Sequence, residues 1–143
     1  MKDSMDKESL VELFIIETNQ LIEQLELIII KCEKQSDLSY NDINDIFRIM
    51  HTIKGSASMM VFINIASLAH SIEDLFYYIR EHKNKKYDFQ NVYNLVLDFT
   101  DFIKDEILKL ENNKAPDGDC SYIMEKSKNI LQELQNIPDA EIA

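Results

Sequence analysis

From Leu10 onward the apolar positions fall at helical steps. Leu10, Leu13, Phe14, Leu21, Leu25 and Ile28 recur at three- and four-residue steps. That spacing predicts a helix starting after Asp6 or near Ser9 and running to about Glu33. Leu27-Ile28-Ile29-Ile30 is apolar nearly all round, so this end is expected to be buried on more than one side. The polar run Gln35-Ser36-Asp37-Leu38-Ser39 has the length that joins antiparallel neighbours, and Ser39 or Asn41 can cap the next helix.

A second helix, about Tyr40 to Met59, carries Ile43, Ile46, Phe47, Ile49, Met50, Ile53 and Ala57 on one stripe. Met60-Val61-Phe62-Ile63 is a tight corner without glycine. A third helix, about Ile63 to His82, carries Ile65, Leu68, Ala69, Ile72, Leu75, Phe76 and Ile79. The basic run His82-Lys83-Asn84-Lys85-Lys86 reads as a surface turn with His82 facing solvent. From Asp88 a fourth helix uses Phe89, Val92, Leu95, Val96, Phe99, Phe102, Ile103, Ile107 and Leu110. Asn112 to Asp119, with Pro116 and Gly118, is a loop. Tyr122, Ile123, Ile130, Leu131 and Leu134 then predict a shorter fifth helix ending before Pro138.

The pattern predicts an all-α fold: an up-down antiparallel four-helix bundle with a fifth, C-terminal helix packed outside. One domain is expected over residues 1–137, with 138–143 a tail or the start of a linker. Two glycines and two prolines in 143 residues agree with few turns and long helices. The net charge of −11 argues against nucleic acid and anionic lipid as partners. No apolar run reaches the roughly 20 residues that span a bilayer, and the first residues are too acidic for a secretory leader. A cytoplasmic protein without membrane insertion is expected. Cys32 and Cys120 lack paired spacing, so Cys32 reads as a small buried side chain.

The candidate chemistry lies in His51-Thr52-Ile53-Lys54-Gly55-Ser56. Gly55 interrupts a helical pattern at a cost of about 1 kcal/mol against alanine, so its position calls for a reason. At ~100° per residue His51 falls roughly 130° from the centre of the apolar stripe of the second helix. Glu73 lies roughly 110° off the stripe of the third, with the same sign, and His70 further round. If the two helices run antiparallel, His51 and Glu73 emerge on one rim and can meet. A carboxylate taking the proton of one imidazole nitrogen leaves the other nucleophilic, and Lys54 can offset the charge of a group in transfer. Small residues beside the ring leave it open to a partner. Tyr77, Arg80 and neighbouring acidic residues are candidates for a docking surface.

Ile46-Phe47-Arg48-Ile49-Met50-His51-Thr52-Ile53-Lys54-Gly55-Ser56-Ala57 resembles the motif of histidine phosphotransfer (HPt) domains. Phe62 and Leu68-Ala69-His70-Ser71-Ile72-Glu73-Asp74-Leu75 extend the resemblance to the N-terminal domain of chemotaxis sensor kinases of the CheA family. It covers essentially the whole chain. The resemblance implies that His51 accepts phosphate from an ATP-bound kinase catalytic domain and passes it to an aspartate of a CheY- or CheB-type response regulator. It also implies that Glu73 orients and activates the imidazole, and that Lys54 and His70 complete the polar network. An isolated domain of this kind is expected to be a monomer.

Two positions depart from that pattern, since Ser58 and Val61 stand where the family commonly has glycine. A β-branched Val61 does not easily take positive φ, so the corner is expected to differ in detail.

With Gly55 and Gly118 as its only glycines the chain has no phosphate-cradling loop. No cofactor is expected in it, and ATP and Mg²⁺ would bind a separate kinase domain. It would thus be the phosphoacceptor part of a protein histidine kinase, or alternatively a free-standing relay protein outside chemotaxis. Two further readings stand beside these. One is a metal site formed by His51, His70 and Glu73, which Lys54 opposes. The other is a helix bundle with no chemistry of its own.

Overall fold

The computed structural model of the protein describes residues 6–138; of the expected tail, 139–143 lie outside the described residues. Five helices follow one another: α1 (Lys7–Gln35), α2 (Tyr40–Met59), α3 (Ile63–Glu81), α4 (Phe89–Glu111) and α5 (Ser121–Asn136). No strand occurs among the described residues. α2 packs most extensively on α3, α1 lies against α4 and α2, and α5 sits outside across α3 and α4. This is the expected bundle with its outer fifth helix.

The connections explain where the helices stop. Asp6 caps α1 by accepting from Ser9 N at 2.8 Å, and Ser36 ends it in the left-handed region. Ser39, not Asn41, caps α2. Its hydroxyl accepts from Asp42 N at 3.1 Å while Asp42 Oδ2 accepts from Ser39 N at 3.0 Å. The Asp42 carboxylate is buried, and it also takes Lys31 Nζ at 2.6 Å and Cys32 Sγ at 3.4 Å from α1. Burial works to raise the Asp42 pKa, but its hydrogen bonds to Lys31 and Ser39 outweigh this and lower it. Burial and the nearby carboxylate push the Cys32 thiol up to about 12, so Cys32 is a buried, inert thiol as its position suggested.

The corner between α2 and α3 corrects an expectation. Val61 does take positive φ, at 62°. Phe62 N donates to Ala57 O at 2.9 Å and Val61 N to Ser58 O at 3.0 Å, the two bonds that close a helix through a left-handed residue. The half-buried Phe62, packed on the core, holds the turn in place. Val61 itself is 71% exposed, so its side chain gains little from burial. Val61→Gly is therefore expected to raise stability by about 1 kcal/mol, read from the midpoint of urea unfolding.

Three further expectations change. The buried line of α1 is Phe14, Thr18, Ile22, Leu25, Ile29 and Cys32, while Leu10 and Leu13 are exposed. Leu27 and Ile30 are also exposed, because they lie outside the face formed by that line and the half-buried Val11, Ile15, Leu21 and Ile28 beside it. His82 does not simply face solvent: its Nδ1 lies 2.9 Å from Tyr78 O and its ring stacks on Tyr78 at 3.8 Å.

The loop after α4 is tied down by a buried carboxylate. Glu106 Oε1 accepts from Asn64 Nδ2 and from Gly118 N, each at 2.8 Å, and Oε2 pairs with Lys109 Nζ at 2.9 Å. A Cβ at Gly118 would stand 2.6 Å from Glu106 Oε2, so this close approach requires glycine. The tie links the start of α3 to α4 and to the loop that follows it.

Candidate functional site

The polar faces of α2 and α3 meet along one rim. Ile46, Ile49, Met50, Ile53 and Ala57 are buried and turn α2 so that His51 points outward. Leu68, Ile72, Leu75 and Phe76 do the same for α3 and bring Glu73 to the edge of the core. His51 Nδ1 lies 2.5 Å from Glu73 Oε2, and Lys54 Nζ lies 2.7 Å from Glu73 Oε1. The contact inferred from helical periodicity is therefore formed.

Exposure divides the three groups. The His51 side chain is 63% exposed and that of Glu73 only 9%, with Lys54 between them. Burial acts to raise the Glu73 pKa, but hydrogen bonds from Lys54 and His51 outweigh it and hold the carboxyl below its ordinary value. An ionised carboxylate only accepts. The proton shared with His51 must then sit on Nδ1, which leaves the Nε2 lone pair directed at solvent. Such a ring is an exposed nitrogen nucleophile with a fixed tautomer.

Gly55 lies one turn beyond His51. A Cβ built there meets nothing within 4 Å, so no contact inside the chain requires glycine. Gly55→Ala is accordingly expected to stabilise the fold by about 1 kcal/mol in thermal or urea unfolding. If the bare backbone serves an incoming partner, the same variant weakens binding of that partner.

His70 stands apart from this pair. It is exposed, and its Nε2 lies 3.5 Å from Asp74 Oδ1, one turn along α3. It shares with Lys54, Ser58 and Ser67 the lining of an open cleft of about 320 Å³. His70, Glu73 and Asp74 bring ligand-type atoms within 4.8 Å of one another, a different trio from His51, His70 and Glu73. Both Glu73 oxygens are engaged, one by an ammonium, and a cation would have to displace it.

The sequence pattern assigned Phe47 to the core stripe alone. Phe47 is half-buried and its ring lies against that of His51, with centroids 6.3 Å apart and planes 15° apart. Arg80 Cζ stands 4.4 Å from the Phe47 centroid and 5.3 Å from that of Tyr77. The four-residue step from Phe47 to His51 was the available signal, since such residues stack on a helix surface.

Fold and site together describe a helical bundle with an exposed imidazole held by a buried carboxylate. Comparison with known proteins agrees: the model of the Hpt domain matches residues 9–137, and the chain belongs to that family. The chemotaxis protein CheA of Borreliella burgdorferi is 30% identical over 128 residues, 89% of this chain and 14% of that protein. CheA of Treponema pallidum is 35% identical over 85 residues, 58% of this chain and 10% of the relative. The sensor histidine kinase CheAY of Helicobacter pylori is 34% identical over 70 residues, 49% of this chain and 9% of the relative. The chain thus spans a small part of the length of these relatives. The relatives are chemotaxis proteins and a sensor histidine kinase, and this chain is similar to a stretch of each. Among the described residues no helix is long and apolar enough to cross a membrane.

Proposed function

We propose that His51 is the phosphoacceptor, taking phosphate at Nε2 from an ATP-bound kinase catalytic domain and giving it to a response-regulator aspartate of the CheY or CheB type. The observation that carries this reading is Nδ1 held by Glu73 at 2.5 Å on a ring 63% exposed. The Nε2 lone pair attacks the γ-phosphorus, the bond to the bridging oxygen breaks, and ADP leaves with that electron pair. The ring becomes a phosphoimidazolium whose positive charge the Glu73 carboxylate balances across the Nδ1 proton. In the second transfer an aspartate oxygen attacks phosphorus, and the N–P electron pair returns to Nε2.

Lys54 acts through Glu73, keeping the carboxylate ionised and therefore an acceptor. His70 contributes at the edge, beside the cleft it shares with Lys54. ATP and Mg²⁺ belong to the donor domain, and this chain contributes no cofactor. We place the chain in the cytoplasm, working as a monomer toward each partner.

The test is incubation with radiolabelled ATP and a chemotaxis-kinase catalytic domain. Label that is acid-labile, base-stable and recovered on the peptide containing His51 supports the assignment. Acid-stable label, or label on another residue, overturns it.

A further inference from the structure

We infer that Phe47 is a positioning residue for the transfer, fixing the plane of the His51 ring so that Nε2 faces an incoming phosphorus; this rests on His51 being the phosphoacceptor. The imidazole is more exposed than buried, and Glu73 is the hydrogen-bond partner of its Nδ1. That bond anchors one corner of the ring. It leaves the ring free to tilt about the anchored corner, and tilting swings Nε2 out of line. In-line attack needs the lone pair, which lies in the ring plane, aimed along the breaking bond.

The second constraint is a flat surface. Phe47 lies one turn before His51, its plane within 15° of the imidazole and its centroid 6.3 Å away, inside the range of interacting rings. Phe47 is itself held. Its ring packs on the buried core, Arg80 Cζ stands over it at 4.4 Å, and the Tyr77 ring lies 6.2 Å away at a tilt of 43°. Arg80 is tied in turn to Glu81 through Nε at 3.0 Å. Contacts from α3 thus reach the imidazole by two routes, through Glu73 to its edge and through Arg80 and Tyr77 to the ring that flanks its face. Both routes span the α2–α3 pair, so the orientation of one exposed ring is set by two helices rather than one.

The experiment compares wild type, Phe47→Leu and Phe47→Tyr in phosphorylation by ATP and a kinase catalytic domain, with His51→Gln as the blank. Leucine keeps the apolar contact with the core but offers no flat face; tyrosine restores the face. Phe47→Leu is expected to lower kcat about tenfold with KM changed less than about twofold, and Phe47→Tyr to return kcat to near the wild-type value. NMR relaxation of the His51 ring C–H groups gives a readout of ring tilting that lost packing elsewhere would not move. Wild type and Phe47→Tyr are expected to show a rigid imidazole and Phe47→Leu a mobile one, with the proton on Nδ1 in all three because Glu73 is unchanged.

Should Phe47→Leu fail to fold by circular dichroism, Arg80→Gln releases the clamp from the surface. It is expected to lower kcat about threefold in the same assay. Unchanged kcat and unchanged ring mobility in whichever of these variants is folded overturn the inference. A raised KM with unchanged kcat also overturns it, by making Phe47 a docking contact. Label in the His51→Gln blank equal to wild type defeats instead the assignment of His51 as phosphoacceptor.

Discussion

The His51→Gln protein is expected to take up no acid-labile phosphate from ATP and a kinase catalytic domain, a loss of at least roughly a thousandfold against wild type. Glutamine approximates the length of histidine and places an amide near Glu73, but its nitrogen lone pair is delocalised into the carbonyl and does not attack phosphorus. Because the His51 side chain is 63% exposed and a glutamine amide can still donate to Glu73, unfolding stability is expected to stay within about 0.5 kcal/mol of wild type. Loss of label with an intact melting curve separates lost chemistry from lost fold. Label retained at the wild-type level would move the phosphate to another residue and remove the site described above.

Glu73→Ala is expected to have the next largest effect, slowing phosphorylation about 10- to 100-fold while leaving some transfer. Without the carboxylate, the Nδ1 proton has no fixed acceptor and the charge formed at the imidazolium is balanced only by water. Lys54 keeps access to solvent, so the substitution leaves no sealed unpaired charge. The same carboxylate makes a pH-dependent contribution to folding. Its folded pKa lies below the unfolded value of 4.5, so its stabilising effect is fully present above about pH 4.5. The effect is lost as pH falls through the lower, folded value. The stability difference between wild type and Glu73→Ala, from urea unfolding at a series of pH values, is expected to narrow below about pH 4.5. A difference constant down to pH 3 would show that Glu73 is not held ionised by its neighbours.

Much of this arrangement was legible in the residues. The ends of α2 were marked by Ser39 and by the apolar stripe stopping at the corner, and the observed helix is Tyr40–Met59. The meeting of His51 with Glu73 followed from two angular offsets of the same sign on antiparallel helices. Such offsets are set by the 3.6-residue turn and do not depend on which side chains fill the core.

The rest depended on contacts that no periodicity carries. Val61 takes the left-handed region because two backbone hydrogen bonds and the seated Phe62 outweigh the steric preference of one β-branched residue. Glu106 looked like any acidic residue on α4. Its burial is made possible by Asn64 and Gly118, which are 42 and 12 residues away. Phe47 was correctly read as apolar, but it serves two neighbours at once, the core on one side and His51 on the other. His70 shows the limit of angular reasoning from the other direction. Lying further round α3 put it near the rim, yet Asp74 one turn away is the partner it meets.

The openness of the His51 ring also bears on time. A phosphoryl group seated on Nε2 would stand in bulk solvent, with no lid or dry cavity formed around it by the described residues to delay attack by water. Its lifetime would follow the intrinsic lability of a phosphoramidate bond and the rate at which an acceptor arrives. On the proposed function, a site built this way would suit rapid turnover of a signal and make a poor memory of one.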